Sequence, residues 1–174
     1  MSLQYLKGTA NVDLVYYRDS IESSSIVGFV DFDFIGDLDK KKFLTGYVFT
    51  FGCAISWEAT LQSTIVLSTT KTEYMAVKVA IWLKGLVGDL GLQHDGIVVF
   101  CDSQSTIHLT KNQMYHEIIK HIDVRYHFIS EIVSQGTVAV RKVATLDNPT
   151  DMMTKLVLLD KFKYCLDLIC VCSL

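Results

Sequence analysis

The run from Ile26 to Asp37, IVGFVDFDFIGD, is apolar almost throughout and carries Gly28 and Gly36 near its ends. Its β-branched and aromatic side chains predict a buried strand. Asp31 is the anomaly, because an ionised carboxylate in a core costs several kcal/mol unless it is paired or holds a metal. Asp31 and Asp33 share a face by the two-residue period, so an edge strand with both acids in water is the competing reading. Thr45 to Phe51, TGYVFTF, predicts a second strand, and Cys53 to Trp57 pairs back on it across Gly52 as an antiparallel hairpin. Thr64 to Leu67 resumes a strand pattern after the polar stretch Thr60 to Ser63.

The period then changes. Apolar residues at Met75, Val79, Leu83, Leu86 and Leu90 predict an amphipathic helix from Thr69 or Thr70 to about Leu90, with Ser68, Thr69 and Thr70 as N-cap candidates and Gly91 as its stop. IVVF at Ile97–Phe100 is a short apolar strand of the interior kind. Asp102 and Ser103 open a short helix to about Lys111. A second amphipathic helix spans about Glu117 to Gln135 with Ile118, Ile122, Ile129 and Val133 on one face, and Gly136 ends it. Thr137 to Val143 is a strand, and Asn148-Pro149-Thr150-Asp151 starts a last helix with proline near its first turn. Residues 1–25 read as a helical turn (Leu3, Tyr5, Leu6), a short strand (Asp13 to Tyr17) and a polar linker. Three hairpin-linked strands followed by helix, strand, helix, helix, strand and helix predict a mixed sheet with helices on its faces.

Composition narrows this little. The 174 residues suit one domain, half of them hydrophobic, and the net charge of −3 excludes an overall basic field. Cysteines at 53, 101, 165, 170 and 172 form no CxxC pair, which points to buried thiols in a reducing, intracellular compartment. The N-terminus has no signal-peptide pattern. Asp160, Lys161, Lys163 and Asp167 break the longest apolar run, so no membrane span is expected. Trp57 and Trp82 read as core or helix-packing residues, and Cys170-x-Cys172 as apolar filling. Lys120, His121, Arg125 and His127 read as a solvated helix face, with a phosphate-contacting stripe as the sharper alternative.

The candidate chemistry lies in four acids: Asp31 in the first strand, Glu73 in the first turn of the long helix, Asp102 at the end of IVVF and Asp151 in the first turn of the last helix. Strand C-termini and helix N-termini gather at one end of such sheets. Acids converging there repel one another unless divalent metal sits among them, and Mg²⁺ takes oxygen ligands of this kind. Each acid also has a purely structural reading: Glu73 and Asp151 as complements to a helix dipole, Asp102 as an N-cap.

The segments GFVDFDFIGDLD, TGYVF, AISW, LQSTIVLSTTKTEYMA, IWLKGL, CDSQSTIHLTKN, KHIDVRYHFI and NPTDMMTK, in this order, resemble the ribonuclease H region of copia-type LTR-retrotransposon Pol polyproteins. YLKGT resembles the segment joining reverse transcriptase to that region. The resemblance covers most of the chain. It implies an α/β ribonuclease H-like fold, a five-stranded mixed sheet with three antiparallel strands, then parallel strands, and helices on its faces. It also implies two-metal, Mg²⁺-dependent cleavage of the RNA strand of an RNA–DNA hybrid, with Mn²⁺ as a substitute and a reverse transcriptase region as partner in the parent polyprotein. By position, Asp31, Glu73, Asp102 and Asp151 match the family's metal-binding and catalytic acids. Ser68, Thr69, Thr70 and Gln104 match regions that approach the hybrid, where hydroxyl and amide groups can sense a 2′-OH; helix capping is their alternative role. The implied divisions are a joining-segment remnant at 1–25, the ribonuclease H-like domain at 26–156 and a helical tail at 157–174.

The chain also departs from the family pattern. Phe34 stands where Trp is usual, Phe32 where a small residue is, Lys71 replaces an acid, Lys42-Phe43 an Arg-Ser pair, and Leu156 a proline. The helix after Glu73 is about one turn short, which rotates its remaining residues by only ~40° and preserves the apolar stripe. These departures set a second expectation beside the nuclease: a degenerate, catalytically silent relic of the fold that binds nucleic acid weakly.

Overall fold

The structure is a computed structural model. It describes residues 25–34, 43–62, 68–102, 128 and 131–171, with side chains described for 25–31, 44–61, 75–102, 128 and 131–171. The expected elements within 1–24, the strand at Thr64 to Leu67, the short helix to Lys111 and most of the helix from Glu117 lie outside the described residues.

Strand β1 is Ser25–Phe34, β2 is Phe43–Phe51 and β3 is Cys53–Gln62; helix α1 is Ser68–Asp89, β4 is Gly96–Cys101 and β5 is Ala139–Lys142. After a 3₁₀ turn at Thr145–Asp147 come two short helices, α2 at Asp151–Thr154 and α3 at Leu159–Leu168. The five strands form one sheet in the order β3-β2-β1-β4-β5. β1 runs antiparallel to β2 and parallel to β4, β2 is antiparallel to β3, and β4 is parallel to β5. This is the mixed sheet expected, with β1 at its centre and therefore not an edge strand. β3 extends further than expected, through the polar Glu58, Thr60 and Gln62; from Trp57 to Leu61 this edge strand is exposed on both faces, so polar side chains there remain in water.

The two faces of the sheet are covered differently. Ile26 and Val30 of β1, Tyr47 and Phe49 of β2, and Ile97 and Val99 of β4 pack against Ala76, Ala80, Leu83 and Val87 of α1. The expected helix stripe is thus shifted: Leu83 is in it, but Met75, Leu86 and Leu90 are exposed. Alanines let the helix approach the sheet closely, so the larger apolar residues one position away are left outside. Trp57 and Trp82 are also exposed, by 53% and 62%, and are not core residues. On the other face Val48 and Ala54 pack with Ile169 and Val171, flanked by Phe29, Met152, Met153 and Leu166.

Two helix ends follow the expected glycines. Leu92 N–H bonds Val87 carbonyl and Gly91 N–H bonds Gly88 carbonyl, with Gly91 at φ +71. The same pair of bonds recurs from Thr137 to Ile132 and from Gly136 to Val133. Both are the paired closure that a left-handed residue allows. The last helix expected from Asp151 is instead broken after one turn: Lys155 is extended (φ −125, ψ 156) before α3 begins. Cys101 and Cys165 are buried, and Cys53 and Cys170 are half-buried.

Candidate active site

The acids converge because of strand parity and register. In β1, Ile26 and Val30 point into the α1 core, so Asp31 points with Phe29 to the opposite face, toward α2. Phe29 stacks on Phe100 of β4 with ring centroids 5.4 Å apart, which identifies the face that Phe100, and by period Asp102, share. Val30 pairs with Cys101 in register, so Asp31 and Asp102 follow side by side at the same end of two parallel neighbours.

The third acid, Asp151, arrives as the first residue of α2, just after the Asn-Pro-Thr turn. Asn148 is wholly buried; its Nδ2 donates to the Val30 carbonyl at 3.0 Å, and its Oδ1 accepts from the Thr150 N–H and hydroxyl. This latch ties the Asn-Pro-Thr-Asp turn to the residue before Asp31. Gly46 lies opposite Asp31 in the β1–β2 register, and a Cβ there would come 2.8 Å from Thr154 Cγ2. The missing side chain makes room for α2 on the strand.

Asp31 is 2% exposed. Its burial is compensated: the Thr154 hydroxyl donates to Oδ2, and Lys155 Nζ lies 3.2 Å from Oδ2 and 3.3 Å from Oδ1. The same ammonium is 2.7 Å from Asp151 Oδ1, and Lys161 Nζ is 3.9 Å from Asp151 Oδ2. Burial works against the Lys155 charge, but the hydrogen bond to Asp151 and the charges of Asp31 and Asp151 outweigh it and hold its pKa above the usual lysine value. Burial pushes the Asp102 pKa up, and the charge of Asp31 adds to this; Lys155 opposes it and Asp151 adds again. Asp31, Asp102 and Asp151 therefore share one electrostatic neighbourhood.

The expectation that the converging acids face only one another without metal needs correction. A lysine stands between two of them. Sequence reading missed Lys155, although its place four residues after Asp151 was a usable signal, since such pairs meet on a helix. Glu73 is in the second turn of α1, not the first, because the helix starts at Ser68. Ser68, Thr69 and Thr70 form the opening turn of α1; their side chains, and that of Glu73, are outside the described set, as is Gln104 altogether. Among the described residues, no three His, Cys, Asp or Glu side chains form a group that could hold a metal ion. The chemistry of the donors still suits a hard cation: all are carboxylate oxygens, and a cationic group is already seated between two of them.

No protein-family model matches the chain. Curated relatives do. It is 47% identical over 172 residues to the retrovirus-related Pol polyprotein from transposon TNT 1-94 of Nicotiana tabacum, covering 96% of this chain and 13% of the polyprotein. It is 32% identical over 159 residues to the Pol polyprotein from transposon RE2 of Arabidopsis thaliana, covering 88% of this chain and 11% of that one. By these similarities the chain corresponds to a segment of copia-type Pol polyproteins. Its fold is that of ribonuclease H. The structure of LC11-RNase H1 in complex with RNA/DNA hybrid matches 74% of this Pol segment and 93% of that chain, with a TM-score of 0.53 at 15% identity. The N-terminal ribonuclease H domain of rv2228c from Mycobacterium tuberculosis matches 82% of the segment and 96% of that chain, with a TM-score of 0.52 at 14% identity. The segment spans about an eighth of the length of the polyproteins it matches.

Proposed function

We propose that this Pol segment is a divalent-metal-dependent endonuclease that cleaves the RNA strand of RNA–DNA hybrids. The observation that supports the reading is the placement of Asp31 and Asp102 at the same end of the paired strands β1 and β4, with Asp151 at the start of α2 joined to Asp31 through Lys155. Asp31, Glu73, Asp102 and Asp151 would hold Mg²⁺, with Mn²⁺ as substitute. Bound there, two such ions would supply an activated water and stabilise the leaving oxygen. The residues themselves supply placement. Asn148 latches the Asp151 turn to β1, Thr154 orients the Asp31 carboxylate, and the hydroxyls of Ser68, Thr69 and Thr70 and the amide of Gln104 would meet the hybrid. In the parent polyprotein the substrate would come from an adjoining reverse transcriptase region, in a reducing compartment that keeps the cysteines as thiols. Residues 1–25 would then be the joining segment and 157–174 a helical tail to the domain at 26–156.

The second reading is a silent relic of the fold. It is favoured by the departures around the motifs and by Lys155, which neutralises two of the acids without any metal. One assay separates the two: a labelled RNA–DNA hybrid incubated with the protein and Mg²⁺ or Mn²⁺, beside EDTA, single-stranded RNA and duplex DNA. Metal-dependent cuts confined to the RNA of the hybrid are expected. Folded protein that binds the hybrid and leaves it intact would return the segment to the silent reading.

A further inference from the structure

Lys155 uses the carboxylate oxygens that a metal would need. Its Nζ lies 3.2 and 3.3 Å from the two oxygens of Asp31 and 2.7 Å from Asp151 Oδ1. Lys161 does not duplicate it, being 3.9 Å from Asp151 and donating to the Leu146 carbonyl. One ammonium thus bridges an acid on the central strand and an acid on the following helix. It is also free to leave. Lys155 is the extended residue just past α2, and its side chain is 28% exposed. Swinging it into water breaks no helical turn, whereas Asp31, 2% exposed and bonded by Thr154, cannot follow.

We propose that Lys155 is a built-in counter-cation, which holds Asp31 and Asp151 together in the metal-free protein and must release both before a divalent ion binds them. The proposal rests on the reading of these acids as metal ligands. It makes two demands on the same residue. The metal-free fold draws stability from Lys155, and metal binding is weakened by it, because charge-assisted hydrogen bonds must first be broken.

The test is a Mg²⁺ titration of the whole chain followed by thermal melting, for the wild type, Lys155→Met and Lys155→Arg. Lys155→Met keeps the length and removes the charge. It is expected to melt lower in EDTA and to reach half of its Mg²⁺-induced shift at about tenfold less Mg²⁺. Lys155→Arg keeps the charge and should keep the wild-type Mg²⁺ requirement. A Lys155→Met protein needing as much Mg²⁺ as the wild type, or more, would overturn the proposal and leave the metal reading standing. No Mg²⁺ shift in any of the three would overturn both. Should Lys155→Met not fold in EDTA, the wild type decides. Trace labelling of its lysines, read by mass spectrometry against exposed Lys78, should show Lys155 reacting faster with Mg²⁺ than without; unchanged or slower labelling overturns the proposal.

Discussion

Asp31 and Asp102 are neighbours of the same chemical type with opposite stakes in the fold. Asp31 gives the Thr154 hydroxyl an acceptor and Lys155 a counter-charge, so it is a satisfied buried carboxylate. Burial and the charge of Asp31 hold the Asp102 pKa up, against the charge of Lys155 and a backbone hydrogen bond, which do not outweigh them. A carboxyl that binds protons more readily in the folded chain subtracts stability above its folded pKa, and the penalty vanishes below its unfolded value. The two isosteric amides should therefore move metal-free stability in opposite directions. Asp31→Asn should lose about 1–3 kcal/mol, because the amide keeps only one acceptor oxygen, turns an NH2 toward Thr154 or Lys155, and removes the charge that faces the ammonium. Asp102→Asn should gain stability at neutral pH, and the gain should shrink as pH falls into the ordinary carboxylate range, about 4. Thermal melts of both variants in EDTA across that range decide it; shifts of the same sign would mean that the two acids do not occupy different electrostatic situations.

At the scale of elements, the site depends on how closely α2 lies on the β1–β2 ladder. Asn148 and Gly46 set that distance from opposite sides, one by a latch to Val30 and the other by lacking a side chain where Thr154 passes. Gly46→Ala should push α2 away from Asp31 and cost about 1–3 kcal/mol, as overpacked sites do. Its signature beyond stability would be loss of the Thr154 contact, so Thr154→Val should cost much less in the Gly46→Ala background than in the wild type. Additive losses in that cycle would separate Gly46 from the site. Much of this level was legible in advance. Runs of β-branched and aromatic residues marked β1 and β2, the change of period marked α1, and Gly91 and Gly136 marked two helix ends, since each is a local signal. The inward stripe of α1 was not legible, because apolar residues lie on more than one side of the helix and only the sheet selects Ala76 and Ala80 over Met75 and Leu86. The acids at 31, 102 and 151 could be picked out because a carboxylate is conspicuous at a strand or helix end. Lys155 could be paired with Asp151 by its spacing, but its second partner, Asp31, is distant in sequence and only the fold brings it alongside.

For the whole molecule, the question is where the folding unit ends. The sequence motifs stop near Lys155, which suggests that the residues beyond it are a tail. The packing extends further. Cys165, Ile169 and Val171 are buried, and the latter two form the second core with Val48 and Ala54 beneath the sheet. The Ala54 N–H donates to the Ile169 carbonyl at 3.0 Å, so the segment after α3 is also fastened to the backbone of β3. An apolar cavity of about 240 Å³ already lies here, lined in part by Trp57, Met152 and Leu166. Removing the segment would strip away the Leu166, Ile169 and Val171 wall of this pocket and expose Met152 and Met153, next to Asp151. Ending the chain at Leu158 should therefore destabilise it by several kcal/mol, since truncating a single buried Ile to Ala in a core commonly costs about 2–5 kcal/mol. Ile169→Ala should lose a share of that without shortening the chain. Urea unfolding of the full chain, the truncation and Ile169→Ala provides the comparison, with the midpoint read at constant slope. A truncated protein with the midpoint of the full chain would make residues 159–174 an appendage. A large loss shared by Ile169→Ala would make them the floor on which the Asp151 turn is built.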